Sequence, residues 1–192
     1  ERQITENIFG LDIDQKALDR LQETLFAKSG FYCPNIRCAN FLISDSKNEF
    51  SGKKFDIVLG NPPSDGKFSQ EEEQYFINKF QVESFDHALL FMLKSRNLLK
   101  DKGLNAFLIP KSFTNSSDWK KIKQEILPNL TEIVDCGKVW KEVNLEMSIC
   151  ISQKNTATAT YLSSLRENLF FVEISQINRV CEKIFFLWKL AK

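Results

Sequence analysis

At 192 residues, with 43% apolar side chains and 17 phenylalanines, the chain is long enough to bury the core of one domain, which excludes wholesale disorder. A net charge of +1 excludes polyanion binding by bulk electrostatics, so any nucleic-acid contact rests on local patches or on segments outside this sequence. Five cysteines (33, 38, 136, 150 and 181) without CxxC spacing, beside a single His, argue against a Cys/His metal site and for reduced thiols in a cytoplasmic setting.

In chain order, Glu1 to Asn7 is polar. Ile8-Phe-Gly-Leu-Asp12 reads as a strand and Asp14 to Phe26 as an amphipathic helix, with Ala17, Leu18, Leu21, Leu25 and Phe26 as its apolar face and Asp14 as its N-cap. A strand ending in an acid just before a helix is where nucleotide-type cofactors have their ribose hydroxyls bound, so Asp12 is a candidate for that role. On these residues alone it serves equally as a helper to the helix cap. Ile36 to Leu42 is a second strand, ending in Asn40-Phe41, and a polar turn over Lys47–Lys54 leads into a third.

The third strand carries the chemistry. Phe55, Ile57, Val58 and Leu59 form a β-branched and aromatic run that stops at Gly60, and Asn61-Pro62-Pro63 follows at once. Proline cannot continue a ladder, so the chain turns out at the carboxyl edge of the sheet, where open α/β sheets bind ligands. The residue before a proline is held extended, which presents the Asn61 amide stiffly. Its side-chain oxygen and the Pro62 carbonyl form a pair of acceptors suited to the two hydrogens of an exocyclic amino group, favouring a pyramidal nitrogen with its lone pair free to attack. A plain Asx-Pro turn is the other reading of the tripeptide taken alone.

Beyond Ser64, residues 65–79 read as an acidic, polar loop passing into a helix, and Phe85 to Lys100 as a strongly periodic helix in which His87 is structural. Leu104 to Ile109 is a strand closed by Pro110. A helix follows, capped by Ser116 or Ser117 and running to about Leu127. Glu132–Cys136 and Glu146–Ser152 are two further strands, Thr156 to Thr160 is linker-like, Phe170 to Ile174 is strand-like, and Ile177 to Leu190 is a helix. No signal-peptide pattern or apolar run of spanning length is present, which reads as soluble and not exported. The alternation predicts an α/β fold with a mostly parallel sheet and an antiparallel edge.

Gly10-Leu-Asp-Ile-Asp14, Ala39-Asn-Phe-Leu42, Phe55 to Pro63, Asp86-His-Ala-Leu-Leu-Phe91, Leu98 to Gly103, Ala106-Phe-Leu-Ile-Pro110 and Gly137-Lys-Val-Trp140 resemble, in order, the motifs of S-adenosylmethionine-dependent N6-adenine DNA methyltransferases of the restriction–modification type. The resemblance covers residues 8–154. It implies a Rossmann-like methyltransferase sheet, with residues 1–154 a partial catalytic domain and 155–192 a linker and helical tail leading toward an absent target-recognition region. The implied cofactor is S-adenosyl-L-methionine and the implied partner is duplex DNA with a flipped adenine; no metal is implied. Asp12 would bind the cofactor ribose and Ile13 would pack on its adenine, with Asn40, Phe41 and Phe91 completing that pocket. Asn61 and Pro62, followed by Pro63 and Ser64, would hold the target adenine N6, and Trp140 would stack on the flipped base; an ordinary core Trp is its alternative.

Three departures stand out. Ser64 occupies a position that is Tyr or Phe in most of the family, Asn40 one that is usually Asp, and no glycine-rich first motif is present. The resemblance therefore predicts a sheet lacking its mid-sheet first strand, supplied by an upstream segment or another chain. An amino-methyltransferase acting on RNA or on a protein glutamine, and a non-catalytic binding remnant, are the alternative functions.

Overall fold

A computed structural model describes residues 5–44, 49–63, 66–82, 85–114, 124–125, 127–140, 144–156, 161–164 and 184–187, the last two stretches as backbone. Its elements are β1 (Ile8–Asp12), α1 (Gln15–Ser29), β2 (Asn35–Cys38), β3 (Phe55–Gly60), α2 (Gln70–Phe80), α3 (His87–Arg96), β4 (Leu99–Pro110), β5 (Leu130–Lys138), β6 (Glu146–Gln153), β7 (Tyr161–Ser164) and β8 (Ile184–Leu187). The eight strands form one sheet in the order β2-β1-β8-β3-β4-β6-β5-β7. Pairing is parallel from β2 through β4 and antiparallel at β4–β6 and β6–β5, so the expected mostly parallel sheet with an antiparallel part is observed. β7 then adds to β5 in parallel.

The core is aromatic on one side of the sheet. Phe9, Phe50 and Phe55 meet edge to face at centroid distances of 5.1–5.8 Å. Phe107 and Ile109 of β4 are fully buried beside them in the same cluster, with Leu89, Leu90 and Met92 of α3. Because α3 is buried nearly all round, its sequence is apolar on every side rather than amphipathic.

Several elements differ from expectation for local reasons. Strand β2 ends at Cys38, because the Asn40 side chain accepts from the Leu42 N–H at 3.0 Å and turns the chain. Helix α3 stops at Arg96 and β4 begins at Leu99; Gly103 then packs where an added Cβ would lie 3.0 Å from the Phe55 carbonyl oxygen. The acidic run is ordered: Ser69 and Glu72 form a capping box that starts α2, and Glu71, Glu72 and Glu73 lie in its first turn, where the helix dipole favours negative charge. The apolar face of α1 is buried at Ala17 and Leu18, whereas Leu21 and Phe26 are exposed, Phe26 stacking on Tyr32.

The expected helix from Ser116 and the strand-like piece at Phe170–Ile174 lie outside the described residues. The tail helix over Ile177–Leu190 is corrected at its one described stretch. Ile184–Leu187 is β8, which pairs in parallel with β1 on one side and β3 on the other. The mid-sheet position expected to be empty is thus filled from the chain's own distal segment. A run of Ile-Phe-Phe-Leu suits a strand flanked on both sides, and its length cannot be told from that of a buried helical turn by periodicity alone.

Candidate functional site

The parallel register brings the carboxyl ends of β1, β8 and β3 together, with Asp12 and Asn61 emerging on either side of Leu187. A cavity of about 210 Å³ opens at this edge. Of the residues singled out in the sequence, Asp12, Ile13, Asn40, Phe41, Asn61, Pro63 and Phe91 all line it. Pro62 is buried immediately behind, and Ser64 lies outside the described residues.

The division of labour between the two neighbouring acids is clear from their partners. Asp14 caps α1, accepting from the Lys16 N–H at 2.9 Å and the Ala17 N–H at 3.4 Å. Asp12 accepts from the Asp14 N–H at 2.8 Å, and its carbonyl accepts from the Ala39 N–H at 2.9 Å. Asp12 therefore braces the turn and faces the cavity, and the helix cap is left to Asp14. Beside it Ile13 is 68% exposed, an apolar face toward the cavity with nothing packed over most of it.

The opposite wall is built on α3. His87, Phe91 and Lys94 recur at i, i+4 and i+7, which places them along one stripe of the helix. Phe91 packs against Phe41 at 5.1 Å between ring centroids. Lys94 is 6% exposed; its Nζ donates to the Leu42 carbonyl at 3.1 Å and to the Ser44 carbonyl, and lies 5.2 Å from the Phe41 ring centroid. His87 stacks on Phe68 at 4.0 Å, and Phe68 meets Phe76 edge to face at 4.8 Å. Gly66, at φ +122°, lies against the same imidazole, and an added Cβ would be 3.1 Å from His87 Cε1. His87 thus packs on the segment that follows Asn61-Pro-Pro, and it lines the cavity together with Lys67, Phe68 and Glu72. None of these four was singled out as a site residue in the sequence. The Ser69-x-x-Glu72 signature was the available signal for the turn that carries them.

At the helix start, Asp86 accepts from the Leu89 N–H at 3.1 Å. Burial pushes its carboxyl above the usual range, while the backbone N–H groups of Leu89 and Ala88 and the His87 ring pull it back. The tip of β3 is equally constrained, since Gly60 pairs with Phe107, and a Cβ there would fall 2.4 Å from the Phe107 ring.

Trp140 does not line the cavity. It follows β5, whose carboxyl end lies at the same sheet edge as that of β4 but two positions further across. Between them Lys111, which follows β4, bridges Asp135 of β5 at 2.8 Å and Glu146 of β6 at 3.0 Å. Those hydrogen bonds, to Asp135 foremost, raise the Lys111 ammonium above its ordinary value. Among the described residues no group of His, Cys, Asp and Glu is arranged to hold a metal ion.

Comparison with known proteins fits this geometry. The model of the Eco57I restriction-modification methylase family matches residues 6–140. The chain belongs to that family. The Eco57I-type match spans every element that lines the cavity, from β1 to α3. Relatives include the type II methyltransferase M.VspI of Vibrio sp. (strain 343), 27% identical over 137 residues that make up 70% of this chain and 33% of that protein. Another is the type II methyltransferase M.AccI of Acinetobacter calcoaceticus, 28% identical over 127 residues, 62% of this chain and 23% of that one. The chain thus spans about a third or less of the curated relatives it matches. Among solved structures, a chain of a type I restriction–modification system superposes with a TM-score of 0.71 at 19% identity, covering 87% of this chain and 35% of that one. A putative class I S-adenosylmethionine-dependent methyltransferase from Listeria monocytogenes gives 0.62 at 19% identity, covering 82% and 49%. At these identities the structures speak for the fold, a methyltransferase-type α/β sheet.

Proposed function

We propose that this chain is the catalytic core of a DNA methyltransferase of a restriction–modification system, which binds S-adenosyl-L-methionine in the cavity and transfers its methyl group to adenine N6. The observation that carries this reading is the convergence of Asp12, Asn40, Phe41, Phe91 and Asn61 on one cavity at the carboxyl edge of the sheet. The lining suits an adenosyl group: a carboxylate for ribose hydroxyls, two aromatic rings and an exposed isoleucine for the base, and an amide for its edge.

When bound, S-adenosyl-L-methionine would supply a sulfonium methyl, the methyl–nitrogen bond forming as the methyl–sulfur bond breaks to leave a neutral thioether. Asn61 Oδ1 and the Pro62 carbonyl would accept the two N6 hydrogens, orient the lone pair, and stabilise the positive charge that develops on nitrogen before its proton passes to water. The close packing of Gly60 on Phe107 and the two following prolines hold these acceptors still. Asp12 carries the ribose, with Ile13 against the adenine. The target base leaves the duplex at a cost of about a few kcal/mol, and Trp140 offers it a stacking surface worth about 1–3 kcal/mol. DNA, and the target-recognition and cleavage parts of a restriction–modification system, are the partners this reading implies.

One feature favours a second reading, a non-catalytic relative. β8 holds the mid-sheet place between β1 and β3, and its stretch Glu-Lys-Ile-Phe-Phe-Leu-Trp-Lys contains no glycine, whereas the family resemblance leads to a glycine-rich motif at the strand in that place. Titration calorimetry with S-adenosyl-L-methionine, followed by methyl transfer to DNA, separates the two. Under the enzyme reading the chain binds, Asp12→Ala weakens binding by about 10- to 100-fold, and Asn61→Ala lowers the transfer rate by about 10²–10³ with binding retained. Absence of binding both by this chain and by a chain extended upstream refutes the enzyme reading.

A further inference from the structure

We infer that Lys94 is a positioning residue for the cofactor pocket: its ammonium ties the Asn40–Ser44 turn to α3 and so sets the spacing between Asn40 and Phe41 on one side and Phe91 on the other. The inference rests on the reading of this cavity as the adenosyl site.

A lysine is almost never fully buried unless it is paired, because an ammonium out of water is costly until its protons are met. Lys94 is 6% exposed, and among its partners are three residues of a single turn, Phe41, Leu42 and Ser44. It donates to the carbonyls of Leu42 and Ser44 and sits 5.2 Å from the centre of the Phe41 ring, a cation–π contact. Phe41 and Leu42 of the turn are buried in the core, and Lys94 adds the polar tie from α3. Strand β2 ends at Cys38. The Ala39 N–H bonds to the Asp12 carbonyl, and within the turn the Leu42 N–H bonds to Asn40 Oδ1 at 3.0 Å and the Ser44 N–H to the Asn40 carbonyl at 2.9 Å. The same helix, one turn earlier, supplies Phe91, whose ring packs on Phe41. Lys94 therefore joins the turn and the helix that together line the cavity through Asn40, Phe41 and Phe91, without lining it itself. Hydrogen bonds donated by an ammonium are charge-assisted, and so shorter and stronger than neutral ones.

The test uses the full chain and S-adenosyl-L-methionine as the probe. Lys94→Met keeps the length of the stem and removes the donors; it is expected to weaken binding about tenfold. Lys94→Arg, which keeps donors at the same site, is expected to stay within about threefold of wild type and covers the case in which the methionine variant fails to fold. A double-mutant cycle distinguishes positioning from general loosening. The effect of Lys94→Met should largely disappear in an Asn40→Ala background and persist undiminished beside Asp12→Ala. Wild-type affinity in Lys94→Met, or equal additivity with both partners, overturns the inference. If neither this chain nor one extended upstream binds, the adenosyl reading falls. Amide exchange then decides the tether without ligand: Leu42 and Ser44 should exchange about tenfold faster in Lys94→Met, and unchanged exchange overturns it.

Discussion

Single residues in this molecule are governed by what surrounds them more than by what they are. The described cysteines span the range. Cys38 is exposed and Cys150 is buried in the sheet at 1% exposure, where desolvation pushes its thiol from 9.0 up to about 12; burial raises Cys33 and Cys136 as well. A thiol whose folded value is raised stays protonated when the unfolded chain would ionise, so folding is fully supported below about pH 9 and loses support as pH rises toward 12. Urea unfolding at pH 8 and pH 10.5 should show stability falling over that interval, and Cys150→Ala should flatten the fall. At pH 8, maleimide labelling read by mass spectrometry should modify Cys38 rapidly and leave Cys150 intact in the folded chain. The placement of Asp12 and Asn61 at the cavity was legible in the sequence, because one ends a strand and the other directly follows one at a constrained turn. Lys94 was not, because a lysine in an apolar helix gives no sign of whether its ammonium reaches solvent or a carbonyl.

The tip of β3 shows how an element fixes a site. Gly60 is needed because of Phe107 across the ladder, not for an unusual dihedral angle. Gly60→Ala would place a methyl 2.4 Å from a fully buried ring, forcing Phe107 or the strand to move at a cost of about 1–3 kcal/mol. Because Asn61 follows directly, the same shift should reach the site. The variant is expected to melt several degrees lower by circular dichroism and to lose methyl transfer out of proportion to its loss of fold; an unchanged melting temperature would show that Phe107 yields freely. β1 was read with its observed bounds, since a short apolar run ending in an acid leaves few alternatives. The ends of β2 and α3 were overrun because side-chain hydrogen bonding at Asn40 and the start of β4 at Leu99 are tertiary outcomes. The ordered start of α2 was legible in Ser69 and Glu72, whose capping signal outweighs the acidic composition around it.

At the scale of the whole sheet, β8 is the element that sequence pattern could not assign. β1 and β3 are not paired with each other; each is paired with β8. Ending the chain after Thr156 removes β7 and β8 and leaves two parallel strands with open edges in the middle of the sheet. Amide exchange at Phe9 and Val58 should then accelerate by orders of magnitude, while Cys150 on β6, which is paired on both sides, stays protected. Equal protection in the shortened and full chains would mean that β8 contributes nothing to closure. No described helix is long and apolar enough to cross a membrane.

The position of β8 also sets a timetable. Local pairs such as β5 with β6 close small loops and form early, whereas β8 joins partners that precede it by most of the described chain, the slowest kind of encounter in folding. During synthesis the first two strands and the Asn61 strand leave the ribosome long before the strand that unites them. Until it arrives they present apolar, unpaired edges, which are templates for association with other chains. The cavity between Asp12 and Asn61 is accordingly expected among the last features to form, since the strand that unites its two sides comes late in the chain.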